Sequence, residues 1–130
     1  MNGNRLALDT NVAIAVLNQS NGAGQWLAGA EFVSLPVPVV GELRFGALNS
    51  KKSEENLAHV ESLVSRSQVI SVDIATASVY AEVRLRLKRI GKPIPENDLW
   101  IAATCIQHGL PLATTDSHFE AVEGLQLKTN

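Results

Sequence analysis

Residues 5–17 read RLALDTNVAIAVL, and this stretch carries the pattern on which the fold depends. Its first four residues are a short, mostly apolar run of strand character that ends at Asp9. The DTN sequence at 9–11 consists of residue types that cap helices, and the apolar stretch 12–17 follows it. The stretch therefore predicts a strand that leads directly into a helix, with a carboxylate at the junction.

The rest of the chain repeats this alternation. We expect further strands at 32–35, 68–72, 111–114 and 125–127, and helices at 25–30, 38–48, around 60–64, at 75–90 and at 99–108. Asp73 is the expected cap of the helix at 75–90, and Asn97 or a neighbour is the expected cap of the helix at 99–108. Gly91 and Gly109 are the expected ends of these two helices. Strands that alternate with helices imply parallel crossovers, so the sequence predicts an α/β fold with a helix-flanked sheet of four or five strands.

Length and composition indicate one domain. The 130 residues are 45% hydrophobic, which suits a single core spanning 1–130. The lone Cys105 excludes a disulfide scaffold and suits a reducing compartment, and its apolar surroundings favour a buried packing role over a catalytic thiol. No stretch has the length of a signal peptide's apolar region or of a membrane span, so we expect a cytoplasmic protein without membrane contact.

Four separated acids are the candidate functional residues: Asp9, Glu42, Asp98 and Asp116. Asp9 and Asp116 follow predicted strands and should emerge at the carboxyl edge of the sheet, where open α/β folds bind ligands. Glu42 and Asp98 lie in or beside apolar segments, where an unpaired acid is costly. Each acid alone also fits a cap, turn or surface role. Together they predict a site for Mg²⁺ or Mn²⁺, which prefer carboxylate oxygens.

The net charge of −2 argues against a protein that holds nucleic acid mainly by bulk positive charge. With the four candidate ligands set aside, however, nine acids remain against eleven Lys and Arg residues. Bound cations would add further positive charge. The composition therefore leaves a metal-loaded nucleic-acid enzyme open.

Four segments carry a resemblance to a known family: LDTNV around Asp9, VVGELRFGA around Glu42, GKPIPENDLWIAA around Asp98, and LATTDSHF around Asp116. In this order and approximate spacing the chain resembles the PIN-domain ribonucleases, and among them the VapC-type toxins of bacterial toxin–antitoxin pairs. The resemblance implies a three-layer α/β/α fold and a metal-dependent endoribonuclease that hydrolyses phosphodiester bonds in tRNA or mRNA. It also implies a cognate antitoxin and a homodimeric toxin.

The same resemblance implies roles for single residues. Asp9, Asp98 and Asp116 would ligate a first Mg²⁺ or Mn²⁺ ion directly or through water, and Glu42 would hold a second ion or its water. Asn11 and Thr114 would orient these carboxylates. Because the family position of Asp116 varies, we expect that residue in an outer role through water. The hydroxyl residue that many relatives carry before Glu42 is not evident at 38–40, so a water or Asn11 would support Glu42.

Two other classes compete with the nuclease. A non-catalytic PIN module that binds RNA or protein would not need all four acids. An aspartate-nucleophile phosphatase would need a second acid two residues after Asp9, where Asn11 stands. Zinc is not expected, because His59 and His108 lack each other's ligand spacing and cysteine partners.

Several residues have both a structural and a functional interpretation. Solvated side chains are expected on the basic helix, with contact to an RNA backbone as the alternative for Arg84, Arg86, Lys88, Arg89 and the following Lys92. His118 is expected to be structural beside Phe119, with substrate contact as the alternative. Core positions are expected for the tryptophans and for the apolar residues of the first helices, with an antitoxin groove as the alternative for Ile14, Leu17, Trp26 and Phe45.

Overall fold

The computed structural model describes residues 5–19, 27, 30 and 32–128. Within these residues the elements, in chain order, are β1 (Arg5–Leu8), α1 (Thr10–Leu17), β2 (Phe32–Pro36), α2 (Val37–Leu48), α3 (Ser53–Ser65), β3 (Gln68–Ile70), α4 (Ile74–Arg89), α5 (Glu96–His108), β4 (Leu112–Ala113), a 3-10 helix (Ser117–Ala121) and β5 (Leu127–Lys128). The helix predicted at 25–30, with Trp26, lies almost entirely outside the described residues.

The five strands form one parallel sheet in the order β3-β2-β1-β4-β5. Ala7 of β1 pairs with Ser34 of β2 on one side and with Leu112 of β4 on the other. The chain moves outward from β1 to β3 and then crosses back to β4, so the strand order reverses between β1 and β4. Open α/β sheets bind their ligands at the carboxyl ends of the strands beside such a reversal. Asp9 lies there, directly after β1.

Helices cover this sheet in two groups. Helix α2 packs against α1 and α3, while α4 packs against α5. The connections through α1, α2 and α3 lead from β1 outward to β3, and the connection through α4 and α5 leads back across the sheet to β4. Because parallel crossovers share one handedness, connections in opposite directions place the two groups of helices on opposite faces of the sheet. The core contains fully buried residues of strands and helices alike, among them Leu8, Leu35, Ile101 and Leu112. The predicted three-layer α/β/α fold is confirmed, with all five strands parallel.

Helix ends show where local sequence signals were sufficient. The predicted cap Asp73 accepts a hydrogen bond from the Thr76 amide, and Thr76 returns one to the Asp73 amide, forming a capping box. Gly109 ends α5 with a φ of 63°, as a helix-terminating glycine should. Asn97 is not the cap of α5, and the helix start predicted at Leu99 was three residues late, because α5 begins at Glu96 after the extended Pro95. Asn97 therefore lies inside the first turn, where its side chain is free to reach another segment.

Apolar residues on two helices are more exposed than predicted. Ile14 of α1 is 42% exposed and Phe45 of α2 is 69% exposed, so the core position expected for each was wrong. Trp100 is half-buried and stacks on Tyr80, with ring centroids 4.0 Å apart. Cys105 is fully buried, as predicted. Among the described residues, no helix combines the length and the apolar character needed to cross a membrane.

Candidate metal centre

Asp9 is the buried member of the candidate site. It directly follows β1, and only 4% of its surface is exposed. The Thr10 amide donates to its Oδ1 at 2.9 Å, and the hydroxyl of buried Thr114 donates to its Oδ2 at 2.7 Å. Burial raises the pKa of Asp9, these two hydrogen bonds oppose the rise, and the nearby Asp116 and Glu42 add to it. The fold therefore holds a carboxylate in fixed orientation at a place where its charge is costly.

Glu42 reaches the same edge from α2. Its Oε1 accepts hydrogen bonds from the Thr10 hydroxyl at 2.7 Å and from the Asn97 side-chain amide at 2.5 Å. Thr10 belongs to the first turn of α1 and Asn97 to the first turn of α5. Two different helices thus orient one carboxylate oxygen. No hydrogen bond from the described part of the chain reaches Oε2, which is left for a cation or a water.

Asp98 and Asp116 are joined by a histidine. His118 Nε2 lies 2.7 Å from Asp98 Oδ2, and His118 Nδ1 lies 3.0 Å from Asp116 Oδ1. The Asp116 amide also donates to the Thr114 hydroxyl at 3.0 Å, so one threonine fixes both Asp9 and the backbone of Asp116. Burial raises the pKa of Asp98, and the nearby Asp9 and Asp116 raise it further, while the hydrogen bond with His118 lowers it.

All four predicted acids therefore converge where β1 and β4 end. The charges of Asp116 and Glu42 help to raise the pKa of Asp9, and the charges of Asp9 and Asp116 help to raise the pKa of Asp98. Like charges brought together in partial burial repel each other unless a cation compensates them. One ligand atom each of Asp98, Asp116 and His118 lies within 4.8 Å of the other two.

The donor set fits a divalent cation of the Mg²⁺ or Mn²⁺ class. Carboxylate oxygens dominate the site, and such oxygens with water are the ligands these ions prefer. In addition to Glu42 Oε2, the oxygens Asp98 Oδ1 and Asp116 Oδ2 accept no hydrogen bond from any residue that the structure describes. Unpaired oxygens therefore come from three chain segments beside the buried Asp9.

Some supporting residues differ from those that the sequence indicated. Thr114 contacts Asp9, as an orienting residue should. Asn11 is exposed and its side chain makes no hydrogen bond within the described ranges, and the contacts expected of it toward Glu42 belong to Thr10 and Asn97. His118 was expected to be structural, and its contact with two acids was missed. Its spacing of two residues from Asp116 was the only signal in the sequence that could have indicated it.

Comparisons with known proteins agree with this geometry. A family model described as PIN domain matches residues 6–125. Ribonuclease VapC5 of Mycobacterium tuberculosis is 34% identical over 123 residues, which cover 90% of this chain and 87% of that protein. The tRNA(fMet)-specific endonuclease VapC of Shigella flexneri is 38% identical over 86 residues, or 65% of each chain.

A solved structure shows the same likeness. VapBC-5 of Mycobacterium tuberculosis, a member of the VapBC family of toxin–antitoxin systems, matches with a TM-score of 0.75 and 30% sequence identity, covering 97% of both chains. The fold, the four converging acids and the family match define the class of protein: the chain belongs to the PIN-domain family. Within that family its relatives are the VapC-type ribonucleases.

Proposed function

We propose that this protein is a metal-dependent endoribonuclease of the VapC type, the toxin of a toxin–antitoxin pair, which hydrolyses phosphodiester bonds in RNA with Mg²⁺ or Mn²⁺. The observation that carries the proposal is the convergence of the four acids at the reversal of strand order. The ribonuclease relatives, which match across most of the chain, support the same reaction.

Each acid has a role in this proposal that follows from its contacts. Asp9, Asp98 and Asp116 are the proposed ligands of a first cation, and Glu42 of a second cation or its water. When bound, the cation supplies Lewis-acid stabilisation to the phosphoryl group and lowers the pKa of the attacking water. The Thr114 hydroxyl holds Oδ2 of Asp9 and the Thr10 amide holds Oδ1, so both oxygens of Asp9 are kept in place. Glu42, whose Oε2 accepts no hydrogen bond from the described residues, is the proposed acceptor of the proton that the water loses.

The nuclease proposal is tested by RNA cleavage with purified protein in Mn²⁺ or Mg²⁺. Asp9→Asn and Asp98→Asn should each abolish cleavage, as should excess EDTA. Glu82→Gln is the matched control, since Glu82 is an exposed acid on α4 outside the four-acid site. Full cleavage by either site variant, or in EDTA, would contradict the mechanism. Absence of cleavage by the wild-type protein on any RNA would favour a non-catalytic PIN module.

Transfer RNA is the first substrate to examine. The Shigella flexneri relative is named for cleavage of one tRNA, and it is 38% identical over the matched segment. Messenger RNA is the second candidate. Sequencing of RNA ends after brief induction of the protein in cells would distinguish them: one dominant cut within a tRNA supports the first, and dispersed cuts within coding sequences support the second.

The antitoxin proposal rests on a groove beside the site. A cavity of about 260 Å³ lies between α1, α2 and α3, with Ile14, Leu17 and Leu43 on its apolar walls and Glu42 at its rim. We propose that an apolar antitoxin helix occupies this groove and that a basic side chain of the antitoxin reaches Glu42. The relationship to a VapBC toxin–antitoxin structure supports this occupant. A helix of that kind would cover the site and exclude RNA.

Co-expression with the neighbouring reading frame tests the partner. A stable complex that loses RNA cleavage is expected, and Ile14→Glu should break the complex while leaving cleavage intact, because Ile14 is exposed and is not among the residues that hydrogen-bond to the four acids. Val72→Glu places the same charge on another exposed apolar residue and should leave the complex intact. A homodimer is also proposed from the family, and light scattering of the free toxin at several concentrations would measure it.

A further inference from the structure

His118 occupies a position between two carboxylates that its proposed structural role does not require. Its two ring nitrogens lie 2.7 Å from Asp98 Oδ2 and 3.0 Å from Asp116 Oδ1. The ring is about one-third exposed and packs at a tilt on the fully buried Phe119, with centroids 5.0 Å apart. The buried phenylalanine and the 3-10 helix therefore fix the ring in place.

Both ring nitrogens of His118 face oxygens of acids that are proposed metal ligands. A ring nitrogen that carries a lone pair can bind a cation together with the carboxylate oxygen beside it, whereas a nitrogen that carries a proton donates it to that oxygen. The position of His118 therefore places a candidate nitrogen ligand directly beside the carboxylates.

The distances also suit a shared ion. Adjacent ligands on an octahedral cation with bonds of about 2.1 Å lie about 3 Å apart. The two nitrogen–oxygen distances at His118 are of this size. The third pair closes the group, since the ligand atoms of Asp98, Asp116 and His118 all lie within 4.8 Å of one another.

We propose that His118 supplies a nitrogen ligand to the metal centre, while its second ring nitrogen stays hydrogen-bonded to the remaining carboxylate. This inference rests on the proposed function, because it assumes that the four acids bind a cation. A nitrogen donor among carboxylates favours Mn²⁺ over Mg²⁺, since imidazole suits transition metals and Mg²⁺ prefers oxygen. His118 thus makes the site selective for Mn²⁺.

The test is direct binding of Mn²⁺ chloride and Mg²⁺ chloride to the purified toxin by calorimetry, together with electron spin echo measurements of the bound Mn²⁺. In the wild-type protein the spin echo should show coupling to a directly bound nitrogen. His118→Gln should lose this coupling and bind Mn²⁺ about 10- to 100-fold more weakly, with a smaller loss for Mg²⁺. His108→Gln, which changes an exposed histidine at the end of α5, should behave as the wild type.

The outcomes separate this inference from the proposed function. Mn²⁺ that binds to the wild type without nitrogen coupling would overturn the ligand role, and would indicate that His118 only bridges the two carboxylates as an imidazolium. Equal Mn²⁺ affinities of wild type and His118→Gln would overturn it too. Failure of the wild type to bind either ion, or unchanged binding by Asp98→Asn, would instead overturn the metal centre itself. Circular dichroism melting of His118→Gln shows whether the variant is folded.

Discussion

The Asp9→Asn variant should separate the effect of the buried carboxylate on stability from its role in metal binding. The pKa of Asp9 is raised by burial and by the neighbouring acids. A carboxyl group whose folded-state pKa is raised stabilises the fold below its ordinary pKa, and that contribution is lost as the pH rises through the raised value. Without metal, the carboxyl group of Asp9 therefore contributes less to stability at neutral pH than in acid. Asparagine removes the charge and keeps the shape.

The magnitude follows from two opposing effects. Asparagine cannot accept at both positions where Thr10 and Thr114 now donate, and loss of one such hydrogen bond costs about 1 kcal/mol. Removal of the buried charge offsets this cost. For a domain of this size 1 kcal/mol corresponds to about 4 °C in melting temperature. In EDTA the variant should therefore melt no more than about 4 °C below the wild type, and equality or an increase is also consistent.

Bound metal should raise the melting temperature of the wild type above that of Asp9→Asn. A ligand present at 100 times its Kd stabilises the folded state by about 2.7 kcal/mol. Differential scanning calorimetry should therefore show the wild type rising by about 10 °C at that Mn²⁺ concentration, with little change in Asp9→Asn. A loss of more than about 8 °C by the variant in EDTA would mark Asp9 as a structural cap. An equal rise in both proteins would remove Asp9 from the metal centre.

Three further predictions concern the threonine beside Asp9, the cap of α4 and the buried thiol of α5. Thr114→Val should lower the free energy of unfolding by about 1–3 kcal/mol in urea denaturation, because it leaves Asp9 and the Asp116 amide without their shared hydroxyl partner. Thr114→Ser keeps a hydroxyl and should retain most of the wild-type stability. An unaltered urea midpoint for the valine variant would show that the hydroxyl is dispensable. Hydrogen bonds, chiefly from the Gln107 side chain, lower the pKa of Asp73, so its stabilising contribution is present above the ordinary carboxyl pKa and is lost as the pH falls through the lowered value. The Asp73→Ala variant should therefore melt at a lower temperature than the wild type at neutral pH, and the difference should shrink in acid. A difference in melting temperature that does not depend on pH would argue against a role of the carboxylate. Burial raises the pKa of Cys105 to about 12, so a thiol reagent at neutral pH should label it only after unfolding in guanidinium, and rapid labelling of the folded protein would contradict its burial.

The sequence predicted those features that depend on short-range patterns. The strand–helix unit at 5–17, the Asp73 cap and the Gly109 end each follow from a few neighbouring residues, and the structure contains all three. The parallel sheet follows from the alternation of strands and helices. The exposure of Phe45 could not be predicted, because an apolar residue in a helix looks the same in sequence whether or not another element covers it.

Contacts between motifs could not be predicted from the sequence, for a related reason. The four acids were found from their own motifs, but three of them are also contacted by a residue from a different motif. Thr10, beside the first acid, and Asn97, beside the third, both hold Glu42. Thr114, just before the fourth acid, holds the first, and His118, just after the fourth, contacts the third. Only the order of strands in the sheet determines which motifs become neighbours.

This exchange between motifs has a consequence for how the site responds to substitution. Where a side chain orients an acid of another segment and not the acid beside it, its loss should resemble loss of the distant acid more closely than loss of the adjacent one. Asn97 is adjacent to Asp98 in sequence, yet its amide reaches Glu42. Removal of that amide should therefore weaken the part of the metal centre that Glu42 serves while leaving the Asp98 contact with His118 in place. Residues in contact through such a network couple energetically, whereas residues that are only adjacent in sequence need not do so.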